Sequence, residues 1–155
     1  MFGNNRAMQF KGNNDRSSAR YWDDLAELYQ KETRISTGDF HYGPLLPGDS
    51  ILRLLPATGT PFRALEIGCG AGQNSIFLAK QGARCTAIDI SEGQLAHGRR
   101  LAAAENAEVD FRRVSMDALG ELGKFDLIHS TYALPFAADP QKVIADAAAM
   151  LKPGG

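Results

Sequence analysis

The chain has 155 residues, enough for one compact core, and 44% of them are hydrophobic against 23% charged. Its formal net charge of −1 gives no global field favouring nucleic acid or an anionic membrane, and no apolar run reaches the length of a membrane span. Met1–Ser18 lacks the apolar core of a signal peptide, so the sequence reads as a cytoplasmic protein.

Met1–Ser18 reads as a flexible tail, because its Gly, Asn, Arg and Ser residues offer turns and nothing to bury. From Ala19 the residues Tyr21, Trp22, Leu25, Leu28 and Tyr29 recur at helical spacing, with Asp23, Asp24 and Glu27 facing away. The aromatics are read as a packing face, with direct ligand contact as the alternative. Ser36 to Pro44 mixes turn formers with Phe40, His41 and Tyr42, which makes an irregular loop, either a connector or a flap over a site. Asp49 and Ser50 are expected to cap a short helix, Ile51–Leu55, that Pro56 ends. Residues 19–62 thus form a helical N-terminal cap, and residues 63–155 a second unit.

That unit opens on Ala64-Leu65-Glu66-Ile67, an apolar run that stops at glycines on alternate positions, Gly68, Gly70 and Gly72. A helix, Gln73 to Gln81, follows at once and ends at Gly82. A buried strand, a glycine turn and a helix start in that order suit a nucleotide-like ligand. Glycine permits positive φ and close approach, and the helix start offers unpaired N–H groups and a positive dipole end. Arg84 to Asp89 is a second strand whose terminal acid lies 21 positions beyond Gly68. Asp89 is therefore placed beside the glycine turn, where it can accept from both hydroxyls of a ribose. Ser91 and Gln94 read as a capping box for the helix to Asn106, in which Gly93 and Gly98 each cost about 1 kcal/mol relative to Ala.

Val109–Val114 alternates like a third strand, and Phe125–Ser130 is a fourth. Its outflow, Thr131 to Phe136, is an apolar loop expected to line a cleft. Asp139 and Pro140 start a final helix that runs to about Leu151 and stops at Pro153-Gly154-Gly155. Alternating strands and helices from Arg63 onward imply a parallel sheet with ligands at its carboxyl rim, where the glycine turn, Asp89, Asp117 and Ser130 all fall. Cys69 and Cys85 lack CxxC spacing and neighbouring His, so they read as buried reduced thiols, with no metal site.

With these motifs in order, the sequence resembles the class I S-adenosylmethionine-dependent methyltransferases. Leu65 to Gly72 looks like the family's first motif, Ala87 to Ser91 its second, Asp117 with its flanks its third and Phe125 to Ser130 its fourth. Leu151 to Gly155 is similar to the turn before the family's fifth strand. The resemblance implies an α/β, three-layer Rossmann-like fold with a parallel central sheet, and S-adenosyl-L-methionine as cofactor. It implies that Gly68, Cys69, Gly70 and Gly72 shape the turn beneath the methionine part, with Glu66 supporting the amino group through water. Asp89 would hold the ribose diol, Ile90 would pack on the adenine, and Met116, Asp117 and Ala118 would bracket the ring. The Ser130 backbone would meet the amino end of the methionine. No general base is fixed by the resemblance. His41 and Tyr42 are candidates, and His129, inside a strand, reads as packed.

The expected activity is in-line methyl transfer to a small-molecule acceptor, with no nucleic-acid or membrane partner. A truncated cofactor-binding fragment with a regulatory role is one alternative. An NAD(P)- or FAD-binding oxidoreductase is the other, but its G-x-G-x-x-G fingerprint needs glycine at position 73, where Gln73 stands. Family members continue past the Pro-Gly-Gly turn, so the fold is expected to stop after the fourth strand and its helix. That would leave the fourth strand as an exposed edge, open to a homodimer or a segment swap.

Overall fold

The computed structural model describes residues 15–155 apart from 44, 58 and 60, so the tail reading for residues 1–14 lies outside the described residues. Strands β1 (Arg63–Ile67), β2 (Arg84–Asp89), β3 (Val109–Arg113) and β4 (Leu127–His129) are parallel, in the order β3-β2-β1-β4. The chain builds outward from β1 to β3 and then crosses back to the other flank of β1. The strand order therefore reverses at β1, whose carboxyl end carries the glycine turn, and such a reversal opens a crevice.

All of Ala64 to Ile67 is buried, because both faces of β1 are covered. Leu65 and Ile67 point into a layer with Ile88, Phe125 and Val143, the last from helix α5 (Pro140–Ala149). Each fully buried Leu or Ile there contributes about 1.5–3 kcal/mol. Ala64 points the other way, into a layer with Phe40, Phe62, Leu78 and Cys85. Helices α3 (Gln73–Lys80) and α4 (Glu92–Ala104) cover that face, and α1 (Asp15–Thr33) packs on α4. This is the three-layer Rossmann-like arrangement.

Several local expectations are corrected. Helix α1 begins at Asp15, ahead of Ala19. Its most buried positions are the small residues Ala19 and Ala26, while Leu28 is exposed. Asp23 does not face away: its carboxylate accepts from Ser91 Oγ at 2.6 Å and Gly93 N at 2.9 Å, placing an acid at the N-terminus of α4. Helix α2 is Asp49–Leu52, and Gly48 stands at its cap position without a side-chain bond. The acid that serves its start is Asp39, which accepts from Ser50 N and Oγ. Asp49 instead closes the other end, accepting from Leu54 N and Leu55 N and from the Tyr42 hydroxyl. The capping box is half made: Ser91 Oγ accepts from Gln94 N, but the Ser91 N–H goes to Asp89, and Gln94 turns to Gln30.

The two glycines of α4 acquire reasons from packing. A Cβ on Gly93 would lie 3.1 Å from the Cβ of Ala26, so that glycine lets α1 cross closely. A Cβ on Gly98 would lie 2.6 Å from the Phe111 ring and 2.9 Å from the Ala71 carbonyl. Gly98→Ala is therefore expected to destabilise the fold by about 1–3 kcal/mol in urea unfolding, although helix propensity alone favours Ala by about 1 kcal/mol. An unchanged or higher midpoint would refute the packing account.

The flank of β4 away from β1 carries one pairing among the described residues. Phe125 bridges Leu151 in parallel, with Phe125 N donating to Met150 O and Lys152 N to Phe125 O. The last residues thus begin a fifth line of pairing beside the base of β4, and Leu127–His129 remains at the edge of the sheet.

Candidate functional site

The glycine turn folds left-handed at each alternate position, with φ of 68° at Gly68, 55° at Gly70 and 67° at Gly72. The three glycines serve different neighbours. A Cβ on Gly68 would fall 2.2 Å from that of Ala133, and one on Gly72 would fall 2.6 Å from the Phe111 ring. At Gly70 the nearest atom would be Gln94 Oε1 at 3.8 Å, so the backbone there faces open space.

A cleft opens over this turn. Of the sequence-predicted residues, Gly68, Gly70, Asp89, Ile90, Met116 and Asp117 line it. Cys69, Gly72, Glu66, Ala118 and Ser130 do not. Cys69 is buried beneath the turn, with its N–H on the Ile88 carbonyl; burial pushes its thiol well up, and pushes the Cys85 thiol up to about 12. Ser130 Oγ donates to the Ile67 carbonyl at 2.8 Å, and Ala118 is exposed. Glu66 is buried and accepts from Ser75 N and Oγ at 3.0 and 2.6 Å, so one carboxylate oxygen is held by the start of α3. Desolvation pushes its carboxyl up to about 7, and the Ser75 bonds only partly oppose this.

Asp89 ends β2 beside the turn, as expected. Its two oxygens accept from Gly70 N at 2.8 Å and Ser91 N at 2.9 Å, so it serves the turn and the start of α4 together. Burial raises its carboxyl above the usual range, against the pull of these N–H groups. Asp117 follows a single 3₁₀ turn's start, and its Oδ1 accepts from Ala138 N at 2.9 Å.

Residues that sequence reasoning left open close the rest of the cleft. Trp22 and Tyr29 of α1 line it with Phe136, and the Trp22 ring meets Phe136 edge-on at 5.3 Å. These aromatics serve both readings, since they pack on each other and also face the cleft. Their seven-residue spacing was the available signal. Gln73, the residue that breaks the dinucleotide fingerprint, is buried and donates to Gln30, which in turn donates to Gln94 of the cleft wall. It ties α1 to the glycine turn. Thr131, Tyr132 and Ala133 line the far end, as the apolar loop after β4 was expected to do.

Neither His41 nor Tyr42 lines the cleft. The Tyr42 hydroxyl donates to Asp49 at 2.6 Å, and burial with that partner holds it protonated, well above its ordinary pKa. His41 has a buried Nδ1 with no hydrogen-bond partner among the described residues, and burial lowers its pKa. Among the described residues no Lys, Arg or His lines the cleft, and its acidic side chains are Asp89 and Asp117. Among the described residues no group of three or more His, Cys, Asp and Glu is arranged to hold a metal ion, and no helix is long and apolar enough to cross a membrane.

The turn's N–H groups are largely committed. Cys69 N donates to Ile88 O, Gly70 N to Asp89, Gly72 N to Cys69 O and Ser75 N to Glu66. A pyrophosphate needs such groups free. An acid-lined, aromatic-walled cleft instead suits a cationic nucleoside.

Comparison with known proteins gives the same direction. A family model described as a methyltransferase domain matches residues 64–155. The ubiquinone biosynthesis O-methyltransferase of Nitrosococcus oceani is 36% identical over 95 residues, covering 60% of this chain and 40% of that protein. Its counterpart in Azotobacter vinelandii is 38% identical over 95 residues, covering 60% and 41%. The chain thus spans about 40% of the length of these curated relatives. Among solved structures, magnesium protoporphyrin IX methyltransferase from Synechocystis, with bound SAM, aligns with a TM-score of 0.69 at 20% identity, covering 94% of this chain and 75% of that one. The cyclase SpnF aligns with a TM-score of 0.73 at 23% identity, covering 91% and 58%. These two likenesses establish the fold.

Proposed function

Because the chain belongs to the methyltransferase domain family, we propose that it is the cofactor-binding part of an S-adenosylmethionine-dependent methyltransferase acting on a small-molecule acceptor. The observation that carries this is the cleft itself: Asp89 and Asp117 with aromatic walls, no basic side chain among the described residues, and a glycine turn whose N–H groups are largely bonded. It also weighs against a nicotinamide or flavin dinucleotide. The O-methyltransferase activity of the relatives from Nitrosococcus and Azotobacter favours oxygen as the methylated atom.

The cofactor supplies an electrophilic methyl group on a sulfonium; the residues of this chain hold and orient. Asp89 retains lone pairs for a ribose diol after its bonds to Gly70 and Ser91. Ile90 and Met116 offer apolar surface for the adenine, and Asp117 an acceptor for its amino group. Gly68, Gly70, Cys69 and Gly72 shape the turn for the methionine part, with Glu66 and Ser130 fixing its supports from behind. The Ala118 side of the third motif contributes backbone shape, since Ala118 N donates to Ser115 O. In-line displacement rests mainly on alignment, which can supply several kcal/mol. Trp22, Tyr29 and Phe136 exclude water above it. The edge position of Leu127–His129 supports pairing there with a further strand, in this chain's partner or a second copy.

Calorimetric titration tests this. S-adenosylhomocysteine is expected to bind the chain and NAD to leave it silent, and binding of NAD alone would sink the proposal.

A further inference from the structure

The cleft has two ends, set by the sheet. Asp89 and Ile90 lie at the tip of β2, and Thr131, Tyr132 and Ala133 follow the tip of β4, with β1 between them. Two strand spacings separate these tips by about 10 Å. The acids follow β2 and β3, and among the described residues none of those lining the β4 end is charged.

Tyr132 is unusual in its backbone. Its φ is +61°, a left-handed conformation that an aromatic residue rarely adopts. Strain of this kind persists only where the surroundings over-determine it, and it gathers at ligand sites. Tyr132 is 60% exposed and lines the cleft. Gly43 receives its other side: a Cβ there would fall 2.0 Å from Tyr132 Cε2.

Asn74, fully buried on the first turn of α3, fixes the neighbourhood. Its Oδ1 accepts from His41 N at 2.8 Å, and its Nδ2 donates to His41 O at 3.0 Å and to Thr131 Oγ1 at 3.3 Å. One side chain therefore locks the loop that carries Gly43 to the segment that carries Tyr132. Thr131 Oγ accepts from Asn74, which leaves its own hydrogen available to a ligand oxygen in the cleft.

We propose that Tyr132 and Thr131 form the acceptor subsite, taking a planar, uncharged ring that bears an oxygen, and that Gly43 and Asn74 are its positioning residues. The ring lies against Tyr132 and faces the aromatic wall of Trp22 and Phe136, while the Thr131 hydroxyl donates to its oxygen. Among the described residues no basic side chain lines the cleft, which disfavours an anionic acceptor. This rests on the methyltransferase reading, because the β2 end must be filled by the cofactor.

The test is calorimetric titration of the protein saturated with S-adenosylhomocysteine, using 2-naphthol and its saturated analogue decahydro-2-naphthol as probes. The aromatic probe is expected to bind about tenfold more tightly than the saturated one. Tyr132→Phe should keep that preference. Tyr132→Ala should abolish it, and so should Gly43→Ala, which displaces the ring, and Asn74→Ser, which unties it. S-adenosylhomocysteine affinity should change by less than about twofold in Tyr132→Ala. Equal binding of the two probes, no binding of 2-naphthol, or an intact preference in Tyr132→Ala would overturn the subsite while leaving the cofactor assignment in place. Failure of the wild type to bind S-adenosylhomocysteine would overturn both, and that result is read before any probe is added.

Discussion

Asp89→Ala is expected to weaken S-adenosylhomocysteine binding by about a hundredfold, equivalent to about 2.7 kcal/mol. Two losses combine. The proposed ribose contacts are hydrogen bonds to a carboxylate, worth about 1.5–3 kcal/mol. The substitution also releases Gly70 N and Ser91 N, which Asp89 holds at 2.8 and 2.9 Å. Each buried N–H left without a partner costs about 1–3 kcal/mol, so urea unfolding should show a second, separate loss in the free protein. Asp89→Asn keeps the size and one acceptor oxygen, but its amide N–H₂ meets one of those backbone donors. It should fall between the wild type and Ala in both measurements. Calorimetry on both variants decides the matter: binding within threefold of wild type in a folded Asp89→Ala would remove the residue from the cofactor site.

Glu66→Gln should change how stability depends on pH, by about 3 kcal/mol between pH 4 and pH 8. The buried Glu66 carboxyl has its pKa pushed up to about 7 from an ordinary 4.5. Between those values the folded state binds the proton more tightly than the unfolded chain. Its contribution is therefore full below pH 4.5 and is lost as pH rises to about 7. His129 works in the opposite sense. Both its ring nitrogens are buried with no hydrogen-bond partner among the described residues, and desolvation pushes its pKa down to about 3 from 6.5. Its contribution is present above pH 6.5 and is lost as pH falls toward 3.

The two slopes oppose each other between about pH 4.5 and 6.5, so the wild type should be nearly flat there. Removing the Glu66 titration should expose the rising slope of His129, to which His41 adds in the same direction. Gln at position 66 still accepts from Ser75, so the change is chiefly one of charge. Urea midpoints from pH 4 to pH 8 give the answer: parallel curves for wild type and Glu66→Gln would show that Glu66 does not titrate in this window.

Fold class and the residues gathered at the carboxyl rim were legible early because they depend on local chemistry. Alternating glycines after a buried run require left-handed backbone, and Gly68, Gly70 and Gly72 adopt it. An acid at the end of the next strand must lie beside the turn in a parallel sheet, as Asp89 does. What sequence reading missed involves side chains choosing among distant partners. Asp23 has an exposed helical pattern locally, yet α1 crosses α4 where two hydrogen-bond donors await it. Asp39 serves the start of α2 in place of Asp49, because the loop folds back so that the earlier acid reaches the helix start. His41 and Tyr42, the available bases by residue type, sit behind the cleft because the Asn74 amide captures the His41 backbone.

By itself, the sequence determined the alternation of strands and helices, the conformations demanded by the glycine turn, and the acids at the carboxyl rim. These follow from steric limits and periodicities that act within a few residues. Only the tertiary structure decided that Gln73 ties α1 to the turn, that Gly98 makes room for Phe111, and that Tyr132 is held left-handed against Gly43. Those outcomes depend on which surfaces meet when the layers close. Close packing fixes such meetings to within an ångström, and that is finer than any pattern along the chain can specify.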